Sequence, residues 1–253
     1  MESISPEEFK ETAGYIIDGN WYPRVTRIVD IKSKPALYRF YGRMPSFAEG
    51  EKMKNKSAEE GTMVHEAVEG LLLGQNPTIP HLIAPAVRGF MEYVERNNIK
   101  INPEFVEYRL ASHEHRYAGT LDAVAEIGGK IGILDIKTSQ EIYRDYNLQT
   151  SAYFFAMKEK IPKLETRWIL RIDQAKPCIK CSSRLRMKGG RPMIKKDWSD
   201  PRATGCTHEW GLMSGYVELA EFPHWENDFA AFLGAKKLWE WENEDMLKKV
   251  GYL

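Results

Sequence analysis

Three residues set out the chemistry open to this chain. In the run IGILDIKTS, residues 131–139, apolar β-branched residues read as a buried strand. Asp135 stands in its middle and Lys137 follows two positions later. Successive side chains on a strand alternate between faces, so Asp135 and Lys137 share one. Burying both charges is costly without a partner or a function. Asp122, in GTLDAV, lies on the preceding strand, and Gly128–Gly129 between them reads as a hairpin turn. That hairpin brings Asp122 opposite the Asp135 region. Two carboxylates and a lysine are the equipment of metal-assisted phosphodiester hydrolysis. Hard oxygens suit Mg²⁺ or Mn²⁺, and a lysine can orient or deprotonate a water or stabilise a developing anion. Asp-x-Lys by itself equally describes a structural ion pair.

Further residues could join this group. His65 sits at the border of a helical apolar stripe, with Glu69 one turn on and able to orient its ring; alone it reads equally as a boundary histidine. Gln149 and Tyr153, four apart, project together from another helix. There Gln149 can hydrogen-bond a phosphate or base, and Tyr153 can stack or donate its hydroxyl. The alternative is an ordinary amphipathic surface helix.

A second group is chemically distinct. All three cysteines fall between residues 178 and 206, as Cys178-x-x-Cys181 and Cys206-x-His208. Two close pairs separated by a loop suit a structural tetrahedral Zn²⁺, with His224 as a substitute for His208. A redox Cys-x-x-Cys is the alternative, but no helix starts there. From Lys176 to Lys196 there are eight basic residues and no acid. Residues 176–208 therefore read as a zinc-binding basic insertion. Its Arg184, Arg186, Lys188 and Arg191 are candidates for phosphate contacts, or else the charges of a solvated loop.

The elements needed to position these groups follow from periodicity. Helices are expected over residues 57–74 and 83–98. Strands follow over 105–113, 117–128 and 130–139, a helix over 143–160 and a strand over 165–173. The aperiodic insertion comes next, then a strand over 210–220 and a helix over 226–249. This order predicts an α/β fold with a mixed central sheet flanked by helices. At 253 residues, one domain spanning 1–253 is expected, with the insertion inside it. Lys plus Arg and Asp plus Glu both number 36, so any nucleic-acid surface must be a local patch. The acidic opening residues lack an apolar signal segment, and no apolar run reaches the ~20 residues that span a bilayer. With an odd cysteine count, this predicts an intracellular, reduced protein with no membrane partner.

Together, GTMVHEAVE, GTLDAV, LDIKTS and LQTSAY resemble successive motifs of the RecB-like branch of the PD-(D/E)XK nucleases, in order and spacing from Gly61 to Tyr153. YPRVTRIV resembles that branch's opening segment. The resemblance implies the restriction-endonuclease-like fold and a metal-dependent exonuclease acting on DNA. It implies that His65, Asp122, Asp135 and the Ile136 carbonyl hold Mg²⁺ or Mn²⁺ and that Lys137 is the catalytic lysine. Gln149 and Tyr153 would match the branch's DNA-contacting Q-x-x-x-Y motif, and Glu107 an acidic position of some members. Relatives that bind an iron–sulfur cluster have a cysteine before the core. Here the first is Cys178, so that cluster is not expected. Two other readings stay open: a non-catalytic nucleic-acid-binding module, and the nuclease subunit of a helicase–nuclease or recombination complex. The chain has no P-loop motif, so a motor would come from a partner.

Overall fold

A computed structural model describes residues 4–253. The chain opens with helix α1 (Pro6–Ala13) and the hairpin β1 (Gly14–Ile17) and β2 (Asn20–Pro23). Short helices α2 (Val25–Val29) and α3 (Pro35–Tyr41) precede the long α4 (Phe47–Leu72) and then α5 (Ala84–Arg96). Strands β3 (Lys100–Asn102), β4 (Tyr108–Ser112), β5 (Tyr117–Leu121), β6 (Ala123–Ile127) and β7 (Lys130–Lys137) follow. Helix α6 (Tyr146–Lys158) leads to β8 (Leu164–Pro177), then the short β9 (Arg184–Arg186) and β10 (Met193–Lys195). Strand β11 (Ser214–Glu221) and helices α7 (Glu226–Glu242) and α8 (Glu244–Lys249) complete it.

The main sheet runs β10-β9-β8-β7-β6-β3, with β11 also on β8. Strands β7 and β8 pair in parallel and the other pairs are antiparallel, so the sheet is mixed as expected. Parallel neighbours need a crossover connection, and α6 supplies it. Gly128 and Gly129, with φ of 60° and 83°, make the β6–β7 turn in a region side chains disfavour. Alternation along β7 divides the core. Leu134 and Ile136 pack with Val64 and Val68 of α4 and Val87 and Phe90 of α5. Ile133 faces the other way, into a cluster holding Tyr153 and Phe154 of α6 and Phe229 and Phe232 of α7. By the same alternation Asp135 points to the α6 side. Among the described residues, no helix is long and apolar enough to cross a membrane.

The structure departs from the periodicity in four places. Residues 117–128 are not one strand, because the chain bends at Asp122. Strand β5 leaves to pair with β4 in a separate two-stranded sheet, while β6 joins the main one. Helix α4 starts well before residue 57, where Ser46 caps it by accepting the Glu49 N–H at 3.2 Å. The C-terminal helix breaks at Asn243. The basic segment is ordered into β9 and β10, which extend the sheet edge.

Candidate functional site

The acidic site forms where β6 runs out. Its ladder with β7 ends at Ala123 and Leu134, which would leave the next inward-facing N–H, that of Ile136, unpaired. The Asp122 carboxylate accepts a hydrogen bond from that N–H through Oδ2. The Asp122 backbone carbonyl meanwhile accepts the Glu107 N–H at 3.0 Å. Asp122 thus ties the two sheets together at their corner. On a strand, the N–H and C=O of one residue point the same way, so the Ile136 carbonyl faces the same edge.

Asp135 is fully buried, and Lys137 Nζ lies 2.6 Å from its Oδ2. That contact is an ion pair, and neither Asp135 oxygen receives a hydrogen bond of good geometry. Desolvation, then repulsion from Asp122, raises the Asp135 carboxyl to about 6 against the pull of Lys137. Asp122 is raised too, by desolvation first. Burial works against the Lys137 charge, but Asp135 and Asp122 outweigh it and hold its pKa above the usual lysine value. Its ammonium also lies 5.1 Å from the Tyr146 ring centre. Of the roles open to Lys137, the protonated cation is therefore favoured over the base.

His65, half-buried on α4, faces this group. Burial, followed by the positive charge of Lys137, lowers its imidazole to about 4. It is neutral at pH 7, with a lone pair to offer. Glu107 comes just before β4, with φ of 49°. Desolvation, then repulsion from Asp122 and Glu69, raises its carboxyl to about 7. Glu69 is therefore felt by the acids Asp122 and Glu107, where a partner for the His65 ring was expected.

The donors suit a hard divalent cation: carboxylates with elevated pKa, buried oxygens without hydrogen-bond donors, a neutral imidazole and a strand-edge carbonyl. They are not drawn tightly together. Among the described residues, the one set of three or more Cys, His, Asp or Glu ligand atoms within 4.8 Å of one another is Cys178, Cys181, Cys206 and His208.

Helix α6 is largely buried, against the surface-helix alternative. Gln149 Nε2 donates to the Tyr153 hydroxyl at 3.0 Å, so the two residues do project together. Tyr153, however, is 2% exposed. Its ring is core and offers no stacking face, which corrects that part of the expectation. Burial first and then the Asp135 charge raise its phenol well above the ordinary value, which sets the hydroxyl behind the acids.

The cysteine cluster is locally built. Cys178 and Cys206 Sγ atoms are 3.9 Å apart, and Cys181 Sγ is 3.5 Å from His208 Nδ1. A zinc tetrahedron with ~2.3 Å Zn–S bonds has S–S edges of ~3.8 Å, so the donors fit that ion. The Lys180 N–H points at Cys178 Sγ and the Ser183 N–H at Cys181 Sγ, each at 3.4 Å. Burial raises the Cys178 thiol, but the N–H groups of Lys180, Glu209 and Cys181 and the His208 ring outweigh it and bring it down to about 6. His224 is elsewhere, its carbonyl accepting from the buried Arg167 at 2.7 Å, so it is not the fourth donor.

The basic segment does not reach out as free arms. Arg186 is 4% exposed and its Nε lies 2.9 Å from both oxygens of buried Asp173, so it is a structural cation, which corrects its assignment to phosphate. Arg184 covers the Tyr216 ring and Arg191 the Phe40 ring. Lys188 Nζ donates to the Thr138 carbonyl at 2.7 Å, and Arg186 to the same oxygen at 3.3 Å. Arg171 reaches the Ser139 carbonyl at 3.4 Å, and Lys195 the Gln140 carbonyl. Three consecutive carbonyls after Lys137 are each held by a basic side chain. Gly61 of α4 permits the approach, since a Cβ there would lie 2.7 Å from Thr138 Oγ1. This brace, with Arg171 and Asp173 at its centre, was missed in the sequence. Its one signal was the pair of charges in the strand-like WILRIDQ.

No protein-family profile matches the chain, and no curated protein matches it in sequence. Among solved structures, it is similar to SSO0001 at 14% identity and a TM-score of 0.36, over 88% of this chain and 75% of that one. It is also similar to a Eubacterium rectale protein named "Putative exonuclease", at 14% identity and a TM-score of 0.41, over 98% of this chain and 85% of that one. Likeness at that level carries no inference about fold or activity.

Proposed function

We propose that this chain is a divalent-metal-dependent deoxyribonuclease of the RecB-like PD-(D/E)XK type, working as an exonuclease on a restriction-endonuclease-like core. The observation that carries the reading is the corner at Asp122. There a strand break sets one carboxylate on the Ile136 N–H, beside a second buried carboxylate that lacks hydrogen-bond donors and is paired with a protonated lysine. His65, Asp122, Asp135 and the Ile136 carbonyl would hold Mg²⁺ or Mn²⁺, with the imidazole favouring Mn²⁺. Such an ion supplies Lewis-acid polarisation of a phosphodiester and an activated water. Lys137 holds a positive charge where the attacked phosphate gains negative charge. The brace on Thr138, Ser139 and Gln140 fixes the backbone that follows Lys137. Gln149 orients the Tyr153 hydroxyl behind the carboxylates. Zn²⁺ in the Cys178, Cys181, Cys206 and His208 set would be structural, since protein fills all four positions.

The deciding test is incubation of purified protein with end-labelled single- and double-stranded DNA, with Mg²⁺, Mn²⁺ or a chelator. Metal-dependent shortening from an end is expected, and intact DNA under all conditions would refute the activity. One observation favours a non-catalytic nucleic-acid-binding module: Asp135 already has Lys137 as a partner, and the acidic donors stand apart. Binding of DNA without cleavage, unaffected by Asp135→Asn, would select that reading.

A further inference from the structure

Helix α3 has no buried residue, although it reads PALYRFY. Phe40 and Tyr41 are half-buried, Tyr41 packing over Gly50 and donating its hydroxyl to Glu51, whereas Tyr38 has no such packing. Tyr38 is 63% exposed and Phe47, the first residue of α4, 69%. The Tyr41 and Phe47 rings stack at 5.0 Å. From Ile31 to Ala48 there are four basic residues, Lys32, Lys34, Arg39 and Arg43, and no acid; Lys34 is paired with the preceding Asp30 at 2.5 Å, which leaves Lys32, Arg39 and Arg43. Of the acids that follow, Glu51 is paired with Lys54 at 2.7 Å, leaving Glu49 exposed.

The patch is continuous with the acidic site. Arg191, at the far end of the β9–β10 connection, lies 5.3 Å from the Phe40 ring centre. The neighbouring Gly190 sits against the Lys56 ammonium. Two residues back, Lys188 donates to the carbonyl of Thr138, which follows Lys137. The α3 rings thus give way to a run of cations, Arg191, Lys56 and Lys188, that leads along the hairpin towards the acids.

We infer that α3 and the loop to α4 form a stacking platform for single-stranded nucleic acid, feeding the strand along Arg191 and Lys188 to the acidic site. Exposed rings between cations match bases joined by phosphates, and every base offers a face to stack. A duplex hides those faces. A bilayer surface fits less well, since between Ile31 and Ala48 the exposed apolar side chains are Tyr38, Phe47, two prolines and two alanines, while the aliphatic Ile31, Leu37 and Met44 are half-buried. The inference rests on the nuclease reading for its direction but not for its binding chemistry.

The test is fluorescence anisotropy with labelled oligodeoxythymidylate and with a matched duplex, in buffer without added divalent ions. Cleavage by the same proteins is measured separately with Mn²⁺. Tyr38→Ala with Phe47→Ala should weaken single-strand binding about tenfold or more, leave the duplex nearly unaffected and keep the salt dependence. Arg39→Ala with Arg43→Ala should lower the slope of log affinity against log salt by about 1.4. If the aromatic double variant melts early, Tyr38→Ala read against Tyr38→Trp replaces it, and the tryptophan should retain binding. Unchanged single-strand affinity in both double variants overturns the platform. So does equal loss on duplex, or a loss confined to vesicles of phosphatidylglycerol and phosphatidylcholine. Cleavage by the wild type with unchanged variant affinity sinks the platform alone. Weakened variants of a wild type that never cleaves sink the nuclease reading alone.

Discussion

The two candidate metal centres differ in how their donors come together. Cys178, Cys181, Cys206 and His208 come from two short segments, and their ligand atoms already lie within 4.8 Å of one another. Backbone N–H groups of the same turns point at two of the sulfurs. His65, Asp122, Asp135 and Ile136 come from α4, the β5–β6 bend and β7, and each carboxylate has taken an interim partner. The first group offers four protein donors, enough to fill a tetrahedron and leave no position open, the pattern expected of a structural ion. The second holds carboxylates with raised pKa in a desolvated corner, which costs stability and marks a candidate catalytic site.

The largest effect that would sharpen this contrast is loss of the closed centre. Elemental analysis should find one zinc per chain, and Cys178→Ser with Cys181→Ser should abolish it. Zinc-dependent folding free energies reach the order of 10 kcal/mol in small zinc domains. The variant should become protease-sensitive between residues 178 and 210 and bind DNA more weakly. No zinc, or a coloured iron centre, would break the assignment.

At the open centre, Asp122→Ala, Asp135→Ala and Lys137→Ala should each cut cleavage by about a thousandfold while the far-ultraviolet circular dichroism stays native. Near wild-type rates in all three would remove chemistry from this corner.

Arg186→Ala probes the brace between the centres. Removing one partner from a buried ion pair costs about 3–5 kcal/mol, so the denaturant midpoint should fall while the salt slope of DNA binding is kept. A lost salt slope with native stability would return Arg186 to the phosphate-binding surface.

The His65 imidazole, lowered from 6.5 to about 4, gives a pH test on metal-free protein. Between those values the unfolded chain binds the proton and the folded chain does not. This contribution is therefore present above pH 6.5 and is lost as pH falls towards 4, to a limit of about 3 kcal/mol. Asp135, raised to about 6, acts in the opposite sense over part of that range. The measurement is accordingly the difference between wild-type and His65→Leu stability against pH. A flat difference would mean that the ring does not feel the corner.

The smallest effect belongs to Gln149 and Tyr153. Tyr153→Phe keeps the buried ring and loses one hydrogen bond, worth about 1 kcal/mol. It should lower kcat less than tenfold and leave KM for DNA unchanged. A rise in KM alone would restore a direct substrate contact.

Local spacing determined much of this protein. Two-residue strand periodicity put Asp135 and Lys137 on one face, and the glycine pair fixed the hairpin that sets Asp122 near them. The Cys-x-x-Cys and Cys-x-His pairs stand in the spacing that their geometry requires. Each of these depends on neighbours a few bonds away, so the order of residue types carries them. What the tertiary structure decided involves partners distant in the chain. The strand break at Asp122 follows from β5 pairing with β4 while Asp122 satisfies Ile136. Burial of Tyr153 follows from α6 crossing beneath the sheet, and that of Arg186 from Asp173, thirteen residues back on β8. Polarity alone marks a tyrosine or an arginine as equally fit for a surface or a satisfied interior, and only the packed neighbours choose between them.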